Sequence, residues 1–236
     1  MKARTGLLGA ATLLIVGCGG APVVERAPTP QAERSASTTP TRTPSATRAP
    51  SPTPTPSPTA APAPPTPPRD ALLSIPTLGI RDLRVIAYRG KTDDDAGTRI
   101  QNRGHAASPY GRDGGAGPGG IGNYQVTAHR LSSTRAFLDL PDLERGDRVH
   151  VTAGGTRWTY EIVGTRSTSF RSARSLAEQR AAVPGHPGRQ PERAHVTLST
   201  CATPEDHAQG NFWVDEFDNP EHRIDKIGML VRTERG

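Results

Sequence analysis

The sequence predicts one mainly β domain, closed as a barrel or stacked as a sandwich, behind a proline-rich leader. Two observations carry this. Residues 21–69 hold 15 of the 24 prolines and no aromatic residue, whereas every Phe, Trp and Tyr lies in residues 70–236. A chain without large apolar side chains cannot bury enough surface to offset its conformational entropy, so only the second stretch can build a core. Within it, short β-branched or alternating runs recur at intervals of roughly ten residues between glycine and proline punctuation, the signature of an all-β barrel or sandwich.

The elements follow in order. Leu72-Leu73-Ser74-Ile75 is a strand stopped by Pro76, and Arg84–Tyr88 is a second. Residues 104–122 are glycine-rich, but no Lys-Ser/Thr follows as a phosphate-cradling loop requires, so they read as a loop. Asn123–Ala128 is a strand with His129 at its end. Ser132-Ser133-Thr134 is a helix N-cap candidate, followed by Phe137, Leu140 and Leu143 as apolar anchors and a tight turn at Glu144–Asp147. Val149–Val151 and Arg157–Val163 form a hairpin about Gly154-Gly155. Ser172–Val183 is a short helix halted by Pro184, and a Pro/Gly loop covers 184–191. His195–Thr200 is a β-branched strand ending on Cys201; residues 202–222 are a long polar loop, and Ile224–Val231 is the last strand.

Charge excludes one class of function. The formal net charge of +6 sits in the leader: residues 1–69 carry seven Lys+Arg against two Asp+Glu, and residues 70–236 carry 22 against 21. The folded domain is nearly neutral and lacks the basic face of a nucleic-acid binder. No apolar run approaches the ~20 residues of a spanning helix, which excludes a multi-pass membrane protein. Two distant cysteines exclude a disulfide-dense scaffold.

The N-terminus reads as an export device. Lys2 and Arg4 precede an apolar stretch from Gly6 to Gly17, the length of a secretory signal. Its end, Ile15-Val16-Gly17-Cys18, resembles the bacterial lipobox, in which the cysteine becomes the lipidated mature N-terminus. The expected organisation is a signal peptide over residues 1–17, a lipidated Cys18 with a disordered Pro/Thr-rich linker over 18–69, and a catalytic domain over 70–236. Residues 21–69 favour solvated polyproline geometry, and at ~3.1 Å per residue they extend at most ~150 Å. They would act as a spacer holding the domain off the outer face of the cell membrane.

If Cys18 is lipidated, Cys201 has no intramolecular partner. An unpaired cysteine in an exported protein is either a working thiol or a small buried hydrophobe. Cys201 closes a strand and opens a long loop, where a rigid scaffold presents reactive groups. A thiolate nucleophile needs a proton-handling partner and an oxyanion donor. Of the seven histidines, His129 also ends an apolar strand. His195 shares the strand of Cys201 at about 20 Å, out of reach at ~3.3 Å per residue. His207 and His222, on the following loop, stand as rivals.

Thr127-Ala128-His129-Arg130, Thr197-Leu198-Ser199-Thr200-Cys201 and His222-Arg223-Ile224-Asp225-Lys226-Ile227 together resemble the sortase transpeptidases, above all the class E type of high-GC Gram-positive bacteria. Ser74-Ile75-Pro76, Pro118–Asn123 and Phe137…Gly146-Asp147 extend the likeness over about residues 70–232. The resemblance implies an eight-stranded β-barrel with one or two short helices. It implies a cysteine transpeptidase that cleaves a Leu-Ala-x-Thr-Gly or Leu-Pro-x-Thr-Gly type C-terminal sorting signal. Cys201 would be the nucleophile, His129 the proton carrier, Arg223 the donor to the substrate backbone or oxyanion, and Thr200 an aid to substrate positioning. The partners implied are proteins bearing sorting signals and a peptidoglycan-stem or pilin amine. Family members are usually anchored by a transmembrane helix; a lipidated Cys18 would give the same outward-facing tether. Two rivals use the same residues: a hydrolase with water as acceptor, and a tethered peptide-binding module. The His-Gly-Cys cluster of the L,D-transpeptidases is absent, since Ser199-Thr200 precede Cys201.

The loop after Cys201 carries Phe212, Trp213, Asp215, Glu216, Phe217 and Asp218, and reads as a specificity wall or lid, or as a solvated loop with Trp213 and Phe217 packed beneath it. Ca²⁺ takes six to eight oxygen ligands. Asp215, Glu216 and Asp218 lack a recognisable Ca²⁺-loop pattern, Asp93-Asp94-Asp95 is weaker still, and no metal or other cofactor is expected.

Overall fold

The structure, a computed structural model, describes residues 67–236. Cys18, the signal segment and the linker up to residue 66 lie outside the described residues. Eight strands close into a barrel: β1 (Ala71–Ile75), β2 (Ile80–Arg89), β3 (Ala106–Tyr110), β4 (Gly122–Thr127), β5 (Arg148–Ala153), β6 (Thr156–Ser169), β7 (Ala194–Cys201) and β8 (His222–Arg235). Their order around the barrel is β1-β2-β3-β4-β7-β8-β6-β5. The β2–β3 and β4–β7 pairs are parallel and the rest antiparallel. Parallel neighbours need long crossovers. One carries α1 (Asp95–Asn102), and α2 (Ala173–Arg180) lies between β6 and β7; α3 (Thr203–Ala208) follows β7. Among the described residues no helix is long and apolar enough to cross a membrane.

Alternation sets the two faces. Tyr124, Val126 and Ala128 of the β4 segment, and Val196 and Leu198 of β7, join the core with Phe137, Leu140, Leu143, Tyr160 and Ile162. The intervening residues of β4 and β7 are polar, yet buried as well, because α2 and its flanks cover that outer face. Most are satisfied, although Gln125 Oε1 has no partner among the described residues. Asn123 donates to the Gln179 and Ala181 carbonyls at 3.0 and 3.1 Å, and Thr197 donates to Asn123 at 2.8 Å. The Asp225 carboxylate accepts from Ser199, Thr168 and Gln179 at 2.6, 2.5 and 2.9 Å. A polar network of this kind is stabilising only when its members are paired, and here it pins α2 to the sheet. Burial still holds the Asp225 carboxyl above its ordinary range, against the pull of those three donors.

Several expectations change. There are three short α-helices rather than one or two, since α1 and α3 add to the helix read at Ser172–Val183. Ser172, where that helix was expected to begin, caps it: its side chain accepts the Ser175 N–H. The reading at Ser132–Thr134 does not. Ser133 and Arg135 take left-handed φ values of 53°, which stop a helix, and only a 3₁₀ turn at Leu140–Asp142 follows. The glycine-rich loop contains β3, whose Ala-Ala-Ser-Pro-Tyr composition carries no β signal and which forms because β2 and β4 flank it. The hairpin residues Gly154 and Gly155 both take positive φ, 55° and 72°, as a two-residue turn with the natural strand twist demands.

One glycine is indispensable to packing. Gly119 has φ +73°, its N–H donates to the buried Tyr160 hydroxyl at 2.7 Å, and a Cβ would lie 2.0 Å from Trp158 Nε1. Gly119→Ala therefore combines overpacking with a left-handed penalty and costs about 2–4 kcal/mol. The expected drop in Tm is about 5–15 °C. A thermal melt within 2 °C of wild type, given as about the scatter of a neutral surface change, would refute this packing account.

Candidate active site

Three strand ends meet on the covered outer face. β4 and β7 run parallel with Thr127 beside Ser199, and the next links continue that register: the Ala128 N–H donates to the Ser199 carbonyl at 3.3 Å. The Thr200 hydroxyl donates back to the Ala128 carbonyl at 2.9 Å. His129 and Cys201, each two residues past the Thr127–Ser199 pair, leave their strands side by side. β8 runs antiparallel to β7 with Arg223 directly opposite Cys201. Cross-strand partners share a face, so the sheet brings Cys201, His129 and Arg223 together from three stretches of sequence. A narrow cleft lined by Asp93, Thr98, Thr127, Cys201, Asn219 and Arg223 opens there, and Thr200 and Ser199 also reach it.

Each group is held by neighbours the sequence reading did not single out. His129 Nε2 lies 2.8 Å from Asn102 Oδ1 at the end of α1. With that oxygen accepting, Nε2 carries the proton and Nδ1 is the nitrogen free to exchange one. Arg130 ties the ends of β4 and β7 together: its guanidinium donates to the Cys201 carbonyl at 3.3 Å and forks onto the Glu205 carboxylate of α3. Asn102 and Arg130 carried no spacing signal. Pro204 in the first turn of α3 did carry one, since proline is favoured where a helix begins.

Arg223 is 4% exposed and fully engaged on two sides. Nε donates to Asp93 at 3.0 Å and Nη1 to the Pro220 carbonyl at 2.6 Å. Nη2 is 3.8 Å from Asp215 and has no hydrogen-bond acceptor among the described residues. Burial opposes its charge, but Asp93, Cys201 and Asp215 outweigh it and hold the guanidinium above its ordinary pKa.

Two of the acidic residues hold local backbone. Asp215 accepts the Phe217 and Asn219 N–H groups, both at 2.9 Å, and so shapes the loop. Asp94 caps α1 through the Gly97 N–H at 2.7 Å. The rival histidines are engaged elsewhere: His222 Nδ1 is 2.7 Å from Asp206, and the His207 ring stacks on Phe212 at 4.7 Å. Trp213 is not packed beneath its loop; it is exposed, with the Arg171 guanidinium 4.4 Å from its ring centre, while Phe217 is half-buried.

Electrostatics favour a neutral resting pair. Desolvation in the cleft raises the Cys201 thiol; Arg223 and Arg130 pull it down, Asp93 and Asp215 push it up, and the result lies above the ordinary 9.0. Desolvation, then the charge of Arg223, lowers His129 below its ordinary 6.5. The thiol faces Asn219 Oδ1 at 4.0 Å as a weak donor. A reaction that needs one proton on the pair is lost by protonation below the His129 pKa and by deprotonation above the Cys201 pKa. We predict a broad plateau in kcat/KM, with its acid limb below pH 6.5 and its alkaline limb above pH 9. A narrow optimum with an alkaline limb near neutrality would show a thiol acidified instead.

Comparison with known proteins gives the family. A family profile described as "Sortase domain" matches residues 73–215. No curated protein matches the chain. Among solved structures, sortase E from Streptomyces avermitilis is similar at 26% identity, over 72% of this chain and 93% of that one, with a TM-score of 0.51. Two more share the fold. SrtA sortase from Actinomyces oris does so at 17% identity, 70% and 81% coverage and a TM-score of 0.53. Sortase E1 from Streptomyces coelicolor, solved with a tripeptide in its active site, does so at 23% identity, 71% and 91% coverage and a TM-score of 0.51.

Proposed function

The chain belongs to the sortase family of cysteine transpeptidases, and from that premise we propose that it joins proteins bearing a C-terminal Leu-Ala-x-Thr-Gly or Leu-Pro-x-Thr-Gly type signal to an amine of the cell wall or a pilin. The observation that supports this assignment of roles is the register that sets Cys201 opposite Arg223 and beside the end of the His129 strand.

The residues divide the chemistry as follows. The Cys201 proton passes to His129, and Sγ attacks the Thr carbonyl carbon of the signal. Negative charge develops on that carbonyl oxygen, where a preorganised donor is most effective. Arg223 Nη2 supplies it. As the tetrahedral centre collapses, the Thr–Gly C–N bond breaks and His129 gives its proton to the leaving glycine amine. A thioester on Cys201 remains. The acceptor amine then attacks that carbonyl, His129 takes the amine's proton, and the C–S bond breaks to free the new amide and the thiol. Thr200 acts from beneath, by tying the His129 strand to β7.

Sortases are extracytoplasmic and membrane-associated. For this chain the tether we propose is a lipidated Cys18, with residues 18–69 as the spacer ahead of the catalytic domain.

Intact-mass analysis tests the reading. The full chain is incubated with either signal peptide, with and without a glycine-rich amine. A Cys201 adduct that the amine resolves into a ligated product is expected. An adduct resolved only by water would make the enzyme a hydrolase. Peptide binding without any adduct would leave a tethered binding module.

A further inference from the structure

Three consecutive aspartates lead into α1, the first of them lining the cleft, and the structure gives each a different task. Asp95 pairs with Arg99 one turn along α1, and Asp94 caps that helix. Asp93 does neither: its carboxylate accepts from Arg223 Nε at 3.0 Å. Its backbone is left-handed, φ 62°, a conformation costly for a residue with a Cβ and found where surrounding contacts enforce it. Those contacts are present. The adjacent Thr92 is 2% exposed, its hydroxyl donates to Gln179 at 3.0 Å, and Arg180 donates to the Thr92 hydroxyl and carbonyl at 3.0 and 3.1 Å. Lys91 N–H is held by Asp94 at 3.0 Å. The turn 91–94 is thus fastened from both sides, and through Gln179 to the Asp225 network on the groove floor.

The consequence lies at Arg223. A guanidinium has five donors in a rigid fork. Asp93 takes Nε and the Pro220 carbonyl takes Nη1; the buried Nη2, 3.8 Å from Asp215, has no acceptor among the described residues, and Arg223 stands directly opposite Cys201. We propose that Asp93 is the positioning residue of this enzyme: by clamping Nε it rotates the guanidinium so that Nη2 meets the carbonyl oxygen that Cys201 attacks. The proposal rests on the transpeptidase reading above. Asp93 orients the donor through Arg223, and its charge also bears on the thiol from across the cleft.

The test uses the full chain and two variants. Asp93→Gly removes the carboxylate and relaxes the left-handed backbone, which offsets part of the stability lost with the ion pair. Asp93→Asn also tolerates that backbone and keeps an acceptor for Nε. With either signal peptide and a glycine-rich amine, Asp93→Gly is expected to lower kcat about 10–100-fold with KM within about twofold, the size of loss a displaced catalytic group produces. Asp93→Asn should retain kcat within about fivefold, since its amide oxygen still fixes the fork. The Tm of Asp93→Gly should fall by about 2–10 °C, because relief of the left-handed backbone offsets only part of the loss of the guanidinium's buried partner. Wild-type kcat in Asp93→Gly would overturn the proposal. A raised kcat would do so too, and would mean that Asp93 competes with substrate for Arg223.

Iodoacetamide alkylation of Cys201 against pH supplies an arm that needs no sorting signal. The groups facing the thiol are Arg223 from β8, Arg130 and His129 after β4, Asp93 from the turn before α1, and Asp215 and Asn219 from the β7–β8 loop. Loss of the Asp93 charge in either variant should move the alkylation midpoint down by about half to one pH unit. An unchanged midpoint would overturn the placement of Asp93. Absence of any wild-type adduct with the signal peptides, beside a shifted alkylation midpoint, would sink the transpeptidase reading and leave the placement of Asp93 standing.

Discussion

Cys201→Ala yields no thioacyl adduct and lowers transpeptidation by about 10³-fold or more, to the level left by binding alone. No other side chain in the cleft can replace the thiol: Ser199 is committed to Asp225, and Thr200 to the Ala128 carbonyl. His129→Ala costs about 10²–10⁴-fold, the range of a general acid–base residue. It should do so without preventing peptide binding, because the imidazole sits at a strand end whose backbone is fixed independently by the Phe137 N–H to His129 carbonyl bond at 3.0 Å. The double variant should be no slower than Cys201→Ala, since the two residues act as one unit. Single-turnover assays with mass detection check both claims. A double variant slower than Cys201→Ala by the full factor of His129→Ala would show two independent contributions and refute the shared mechanism.

Arg223 separates charge from geometry. Arg223→Lys keeps a positive charge near Asp93 and Asp215, but an ammonium is a compact point charge and cannot hold Asp93, the Pro220 carbonyl and an oxyanion in one plane. The expected loss in kcat/KM is about 10²–10³-fold, as for removal of an oxyanion donor. Folding should change little. Arg223→Met loses the same catalytic donor and also strands two carboxylates. Breaking a buried ion pair costs about 3–5 kcal/mol. Asp93 and Asp215 keep 18% and 17% side-chain exposure and regain some hydration, so a loss near about 2–3 kcal/mol is expected. Urea unfolding of the two variants checks the stability claim, and steady-state kinetics of Arg223→Lys checks the catalytic one. An Arg223→Lys enzyme within about threefold of wild type, well short of that loss, would show that charge alone suffices.

The part of the site legible in the sequence is the part whose chemistry is rare. An unpaired cysteine at the end of a β-branched run and a histidine closing another strand are visible from position and residue type, and the resemblance adds the arginine that opens a third. Asp93, Asn102 and Arg130 were not visible, because Asp, Asn and Arg are common polar residues whose roles depend on what faces them. Asp93 sits in an acidic run that suggests a solvated loop or a cation site. Only the fold puts it 130 positions from its partner in sequence and 3.0 Å away in space. The elements divide in the same way. The strands at Ala71–Ile75, Gly122–Thr127 and Ala194–Cys201 announce themselves by their apolar pattern, and α2 by the proline beyond it. β3 and α1 have weak local signals, a proline and two alanines in one and a single buried isoleucine in the other.

Apart from Arg223, which the likeness to the sortases supplied, residues alone yielded the segregation of leader and domain, the β class, and the candidate thiol and imidazole. Local composition, periodicity and side-chain chemistry determine these, and they need no knowledge of distant contacts. The order of strands around the barrel, the parallel β4–β7 pair and the counter-ion of Arg223 were settled by the folded chain. They depend on pairings across as many as 130 residues, where the free energy comes from burial and hydrogen bonds between segments that carry no mark of each other in the sequence.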